Sequence, residues 1–120
     1  MSEIVRLTLV SHAMTDAMSA GRFPADEPLS DLGRRQASAA SDLGPSDRVL
    51  CGPELRTRQT AELLGLNAEA EPGLADLDHG RWAGTSLDEL TPVELAGWIA
   101  DPGYAAHGGE SVVALLRRAG

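Results

Sequence analysis

Ile4-Val5-Arg6-Leu7-Thr8-Leu9-Val10-Ser11-His12 is a β-branched and leucine run of strand length that ends on a serine and a histidine. It predicts a strand over residues 4–10 that delivers His12 to its carboxyl end. Polar, loop-like sequence follows through Gly21, Pro24 and Pro28. Ser30 then has the position of a helix N-cap, with Leu29 before it as a hydrophobic staple. Leu32, Gln36, Ala39, Ala40 and Leu43 recur at helical spacing until Gly44-Pro45 stops the pattern. Residues 48–51 predict a short second strand. Gly52-Pro53 turns the chain into a helix over residues 53–64 that Gly65 ends.

A weaker third strand is predicted over residues 67–71 and is closed by Pro72-Gly73. Residues 74–84 read as irregular. Thr91-Pro92 opens a helix carrying Leu95, Trp98 and Ile99, and Gly108-Gly109-Glu110-Ser111 precedes a last helix over residues 112–118. Strands alternating with helices imply right-handed crossovers, hence a mostly parallel sheet with helices on both faces, a three-layer α/β sandwich. The expectation is a single domain over residues 1–120.

The composition suits that reading and narrows the function. The chain has 120 residues, 42% hydrophobic and 23% charged, which fits a globular domain. Its net charge is −8, and all ten basic residues are arginine. A uniformly acidic surface argues against nucleic acid and against anionic membranes as partners. An anionic substrate must therefore be held by a few locally gathered arginines, whose planar forks suit phosphate oxygens. Charges interrupt every apolar run, the N-terminus lacks the pattern of a secretory signal, and Cys51 is the only cysteine. A cytoplasmic location is expected.

In open α/β sheets, ligands bind beyond the carboxyl ends of the strands. His12 follows the first predicted strand, and Arg56 sits in the first turn of the helix after the second, where a helix N-terminus favours an anion. The two are therefore expected to face one crevice. From the residues alone, two readings of His12 stand. It either bonds backbone at a strand end, or attacks phosphorus as a neutral imidazole. Arg56 either clamps phosphate or pairs at the surface with Glu54 or Glu62. Asp76 and Asp78 read as a general acid or as turn carboxylates.

A cysteine-phosphatase loop is the rival. Its cysteine and arginine stand five residues apart around one phosphate loop, whereas Cys51 and Arg56 have only four residues between them, and Pro53 removes a donor. Cys51 reads instead as a small buried hydrophobe. No glycine-rich nucleotide loop or clustered metal ligands appear, so no cofactor and no metal are expected.

Leu9-Val-Ser-His12-Ala-Met-Thr15 resembles the Leu-Val-Arg-His-Gly-Glu-Thr opening of the histidine phosphatase superfamily, the phosphoglycerate mutase-like proteins. Leu29-Ser-Asp-Leu-Gly33-Arg-Arg-Gln36-Ala37 and Pro53-Glu-Leu-Arg56-Thr-Arg-Gln59-Thr60-Ala61 are similar to two further segments of that family. So are Leu74-Ala-Asp76-Leu-Asp78-His-Gly80-Arg-Trp82-Ala-Gly84 and Gly108-Gly-Glu110-Ser111.

The resemblance implies a phosphatase acting on small phosphorylated metabolites through phosphohistidine. His12 would be the nucleophile, Asp76 the proton donor, and Arg56, Thr15 and Ser11 substrate contacts. It also marks departures. Serine replaces the arginine before the histidine, Ala13 replaces glycine, and Asp76 is shorter than the usual glutamate. The family's second histidine follows a later strand, and this sequence is expected to lack both, which predicts impaired activity and self-association. The alternative is a phosphate- or partner-binding protein that keeps the fold without turnover. His79 reads as decoration of a turn, His107 as an exposed loop residue, and Arg58 as surface. Arg22 reads as a residue that folds over the substrate. Trp82 and Trp98 read as packing residues, and Glu110 as either a helix cap or a residue of the crevice rim.

Overall fold

The computed structural model describes residues 6–40 and 43–120. Its centre is a parallel crossover unit. Strand β1 (Leu50–Cys51) leads into helix α3 (Leu55–Leu63), and the chain returns as strand β2 (Glu69–Ala70). Leu50 lies opposite Glu69 and Cys51 opposite Ala70. The amides of Glu69 and Glu71 extend this ladder by donating to the carbonyls of Val49 and Cys51. Both strands fall inside the predicted runs. Helix α3 can end sharply because Gly65 takes φ +75°, a conformation that a side chain would strain.

The described residues form four further helices: α1 (Asp16–Ser19), α2 (Asp31–Ala39), α4 (Pro92–Ala100) and α5 (Val112–Ala119). Their starts obey local chemistry. Ser30, Thr91 and Ser111 occupy N-cap positions, and each side-chain oxygen accepts an amide hydrogen from the first turn. Thr91 and Glu94 complete a capping box, and Pro92 supplies the preset first helical residue. Helix α2 packs on α3, and α3 packs on β1. Leu29, just before the α2 cap, is 3% exposed and anchors this junction together with buried Ala37. Residues 74–84 are irregular as expected, with short 3-10 turns at Pro72–Leu74 and Gly80–Trp82.

The first predicted strand is different. Ile4 and Val5 lie outside the described residues, and residues 6–10 form no ladder with another strand among those described. Leu7 and Leu9 are 77% and 85% exposed. The run has strand composition, but a strand exists only where a neighbour completes its hydrogen bonds. No described helix is long and apolar enough to cross a membrane.

Candidate active site

Helix α3 and the loop that carries His12 are joined by one side chain. Thr60 Oγ1 donates to the Arg56 carbonyl at 2.8 Å and accepts from the Ala13 amide at 3.0 Å. Thr60 and Arg56 are four residues apart, hence on one helix face. That face therefore holds the buried Arg56 and the peptide that follows His12. A second tie comes from Gln59, whose Oε1 accepts from the Leu29 amide. On the other side, the Ser30 amide and hydroxyl both donate to the Met14 carbonyl. Gly33 makes this docking possible, because a Cβ there would collide with that carbonyl oxygen.

The imidazole of His12 is half-buried, and Nδ1 lies 2.8 Å from the Ala13 carbonyl. A carbonyl only accepts, so Nδ1 carries the hydrogen and Nε2 keeps its lone pair. The ring thus bonds backbone through one nitrogen, as the first reading of His12 expects, and the neutral ring carries a lone pair on the other.

Arg56 is 3% exposed, so it is no solvated surface arginine. Nη1 donates to the Ala25 carbonyl at 3.0 Å and Nη2 to Asp76 Oδ2 at 3.1 Å, while Nε is buried without a partner. Glu54 does not pair with it. Glu54 instead accepts from the amide of Asp76 and from the hydroxyl of Thr57. Asp76 is thereby held at its amide by the residue that precedes α3, and at its carboxylate by Arg56. Its other oxygen accepts from the Leu77 amide. Asp78, two residues on, spends its carboxylate on the Gly80 amide, as a turn residue does.

Several expected contacts are placed elsewhere. Thr15, expected as a substrate contact, is fully buried, and its hydroxyl accepts from the Met18 amide as the cap of α1. Ser11 is exposed, and its hydroxyl reaches only the neighbouring carbonyl of His12 at 3.4 Å. Arg22 is pinned to the Gly84 carbonyl and to Glu89, and so does not fold over the site. Arg58 is exposed, and Cys51 is a buried free thiol.

Of the two other histidines, His107 overturns its expected exposure, and His79 stands at the start of the Gly80–Trp82 turn as expected. His107 is 1% exposed. Its ring meets Trp82 edge-on with centroids 4.9 Å apart, and lies 5.8 Å from Trp98 and 6.1 Å from Tyr104. His79 is half-buried and lies 4.7 Å from Phe23. The glycine pair beside His107 suggested an open loop, but the segments around residues 78–81 and 107–110 interlock. The Arg81 amide donates to the His107 carbonyl, and the Glu110 amide to the Asp78 carbonyl. Burial pulls both imidazoles below their ordinary value; Asp76 and Asp78 oppose this for His79, and Asp78 opposes it for His107. Trp82, 2% exposed, is the packing residue expected, and its indole donates to Glu94.

Arg118 of α5 completes the frame around Asp76. It grips Glu110 through Nε and Nη2, both at 2.8 Å, and donates through Nη1 to the Gly73 carbonyl at 2.9 Å. Of the two readings of Glu110 the rim one fits, since it borders the depression beside Asp76 while Ser111 caps α5, and the pairing with Arg118 holds its carboxyl below the usual range. An open depression of ≈ 490 Å³ lies beside Asp76, lined also by Asp78, Gly108, Gly109, Glu110 and Arg118. Among the described residues no group of acidic, histidine or cysteine side chains is placed to hold a metal ion.

A histidine is thus tied to a helix whose buried arginine keeps a spare donor, within an α/β fold, and such a donor suits an anion. The pattern of the histidine phosphatase superfamily (branch 1) matches residues 7–120, and the chain belongs to that family. It is 30% identical to phosphoserine phosphatase 1 of Hydrogenobacter thermophilus over 96% of this chain and 61% of that protein. It is 32% identical to glucosyl-3-phosphoglycerate phosphatase of Mycobacterium tuberculosis, over 94% of this chain and 56% of that protein. Among solved structures, phosphoglycerate mutase of Thermus thermophilus superposes with a TM-score of 0.78 at 30% identity, covering 89% of this chain and 64% of that one. The fold is thus phosphoglycerate mutase-like α/β. The chain spans about 56–61% of the length of these two curated relatives.

Proposed function

We propose that this chain is a phosphomonoester hydrolase acting on small phosphorylated metabolites through a phosphohistidine. The observation that carries this is Arg56, a buried guanidinium with an unpartnered Nε, tethered through Thr60 to the loop that frees His12 Nε2. In the reaction, Nε2 attacks phosphorus and the bond to the organic oxygen breaks. Arg56 takes the phosphoryl oxygens, exchanging its hold on Asp76 for them. Asp76, so released, takes up the proton of the incoming phosphate monoanion and passes it to the departing oxygen. Water then attacks the phosphohistidine, frees inorganic phosphate and restores His12. The depression beside Asp76 has the size of a small-ligand site and accommodates the organic part.

The exposed hydroxyl of Ser11 favours a second reading, phosphate binding without useful turnover, because it contributes no charge to the pocket. The exposed Leu7, Leu9 and Val10 support self-association, and the buried free thiol of Cys51 fits a cytoplasmic protein. A phosphate-release assay on the native chain, Ser11→Arg and His12→Ala separates the two functional readings. The first expects slow turnover that leaves acid-labile phosphate on the chain and vanishes in His12→Ala. Ser11→Arg should tighten inorganic phosphate by about ten- to a hundredfold, the effect of one charge-assisted hydrogen bond. Phosphate binding without release selects the second reading. Turnover that survives His12→Ala overturns the mechanism.

A further inference from the structure

Asp76 is held from three directions, and only two of the holds belong to the site described above. Arg56 takes its carboxylate and Glu54 its amide. The third comes from α5. Arg118 Nη2 approaches the Asp76 carbonyl at 3.5 Å, while Nη1 bonds the carbonyl of Gly73 at the other end of the same short segment. The guanidinium is itself immobilised by the two-point contact with Glu110. Glu110 in turn is fixed by its own amide, which donates to the Asp78 carbonyl at 2.7 Å. The ring of contacts closes around residues 73–78. The fork geometry of arginine matters here, because a lysine ammonium cannot hold a carboxylate at two points and reach two carbonyls from the same plane.

We propose that Arg118, fixed by Glu110, is a positioning residue that sets where the Asp76 carboxyl stands relative to Arg56 and to the leaving oxygen. Without it, residues 73–76 keep the tether to Glu54, the Arg56 pairing and the turn bonds to Glu71 and Pro72, but lose the hold from α5 that fixes the angle at which the Asp76 carboxyl meets the leaving oxygen. The phosphate end of the site is anchored on α3 and does not depend on Arg118. This inference rests on the proton-donor role proposed for Asp76, and it separates two functions within the pocket. Arg118 governs departure of the organic group, and α3 governs capture of the phosphoryl group.

The test uses the full chain with Arg118→Lys, and with Glu110→Gln as a second variant that leaves α5 and its Ser111 cap untouched. Turnover is compared on an alkyl phosphate, whose leaving oxygen needs a proton, and on p-nitrophenyl phosphate, whose leaving oxygen does not. Both variants are expected to lose about tenfold more in kcat on the alkyl ester than on the aryl ester, whatever the change in KM. In parallel, the Nε–H resonance of Arg56 should shift in both variants while the indole N–H of Trp82 stays in place. That second readout needs no turnover, so it still decides the positioning claim if the chain proves not to be a phosphatase. Equal loss on both esters, or an unmoved Arg56 resonance in a folded variant, overturns the proposal.

Discussion

Replacing Thr60 by valine removes one hydroxyl and nothing else of comparable size, yet that hydroxyl joins the two halves of the site. It is 6% exposed and supplies the acceptor for the Ala13 amide. Valine keeps the shape but leaves that amide unpaired in a half-buried loop, at a cost of about 1–3 kcal/mol. A domain of 120 residues unfolds with an entropy of about 250 cal/mol/K, so the melting temperature should fall by about 4–12 °C. Thr60→Ser keeps the hydroxyl and loses only a methyl, and it should cost about 1 kcal/mol or less. The functional consequence is sharper than the thermal one. The Ala13 carbonyl fixes Nδ1–H of His12, so freeing that peptide should misdirect Nε2 and lower kcat/KM by about tenfold or more in valine but not in serine. Calorimetry and a phosphate-release assay on the two variants side by side decide the matter. If valine melts and turns over like serine, the Thr60 bridge does not organise His12.

Two further outcomes follow from the loops that pair beyond the site. Gly109→Ala should destabilise the fold by about 2 kcal/mol or more, because a Cβ there would collide with the Asp78 carbonyl oxygen, and backbone on both sides cannot yield cheaply; urea titration reads the loss directly. Stability should also fall as pH drops below about 6.5. His79 and His107 have lowered folded values, so the unfolded chain takes up protons first as the pH falls through its own value. Above that pH both states are neutral and the slope vanishes. Glu110, held low by Arg118, adds a second loss once the pH falls below the ordinary glutamate value. Urea midpoints measured from pH 8 to pH 4 should show the first decline flattened in a His79→Phe, His107→Gln double variant. An unchanged slope would place the titrating groups elsewhere.

The features legible in the sequence are those decided within one turn of helix. Ser30, Thr91 and Ser111 announced helix starts because a cap needs only its own side chain and an amide three residues on. Arg56 was legible as a first-turn residue because the short strand at residues 48–51 and Gly52-Pro53 give its helix position. Features decided by distant partners were not legible. Residues 6–10 have strand composition, but whether they pair depends on a neighbour that composition does not specify. His107 lies between residues of loop type, and its burial comes from Trp82, 25 positions earlier in the chain. Thr60 was within reach, since it stands four residues after Arg56 and must share its helix face. Its role still required knowing that the Ala13 amide arrives there.

Asp76 and Asp78 show why spacing alone left two readings open, and why the late Gly-Gly-Glu-Ser segment settles their structural roles. Both carboxylates lie in irregular chain, where alternation carries no fixed meaning. What distinguishes them is the segment docking against them. Gly109 lets that backbone approach the Asp78 carbonyl, and Glu110 then bonds the same carbonyl through its amide while its side chain seizes Arg118. Ser111 next starts α5, which carries Arg118 back to the carbonyls of Gly73 and Asp76. Docked in this way, Asp78 closes a turn on Gly80, and Asp76 is left with its carboxyl directed to Arg56. Three consecutive residues thus meet three separate demands: close approach, ion pairing and helix initiation. Changing any one of them should be felt at Asp76, although neither the Glu110 nor the Ser111 side chain hydrogen-bonds it.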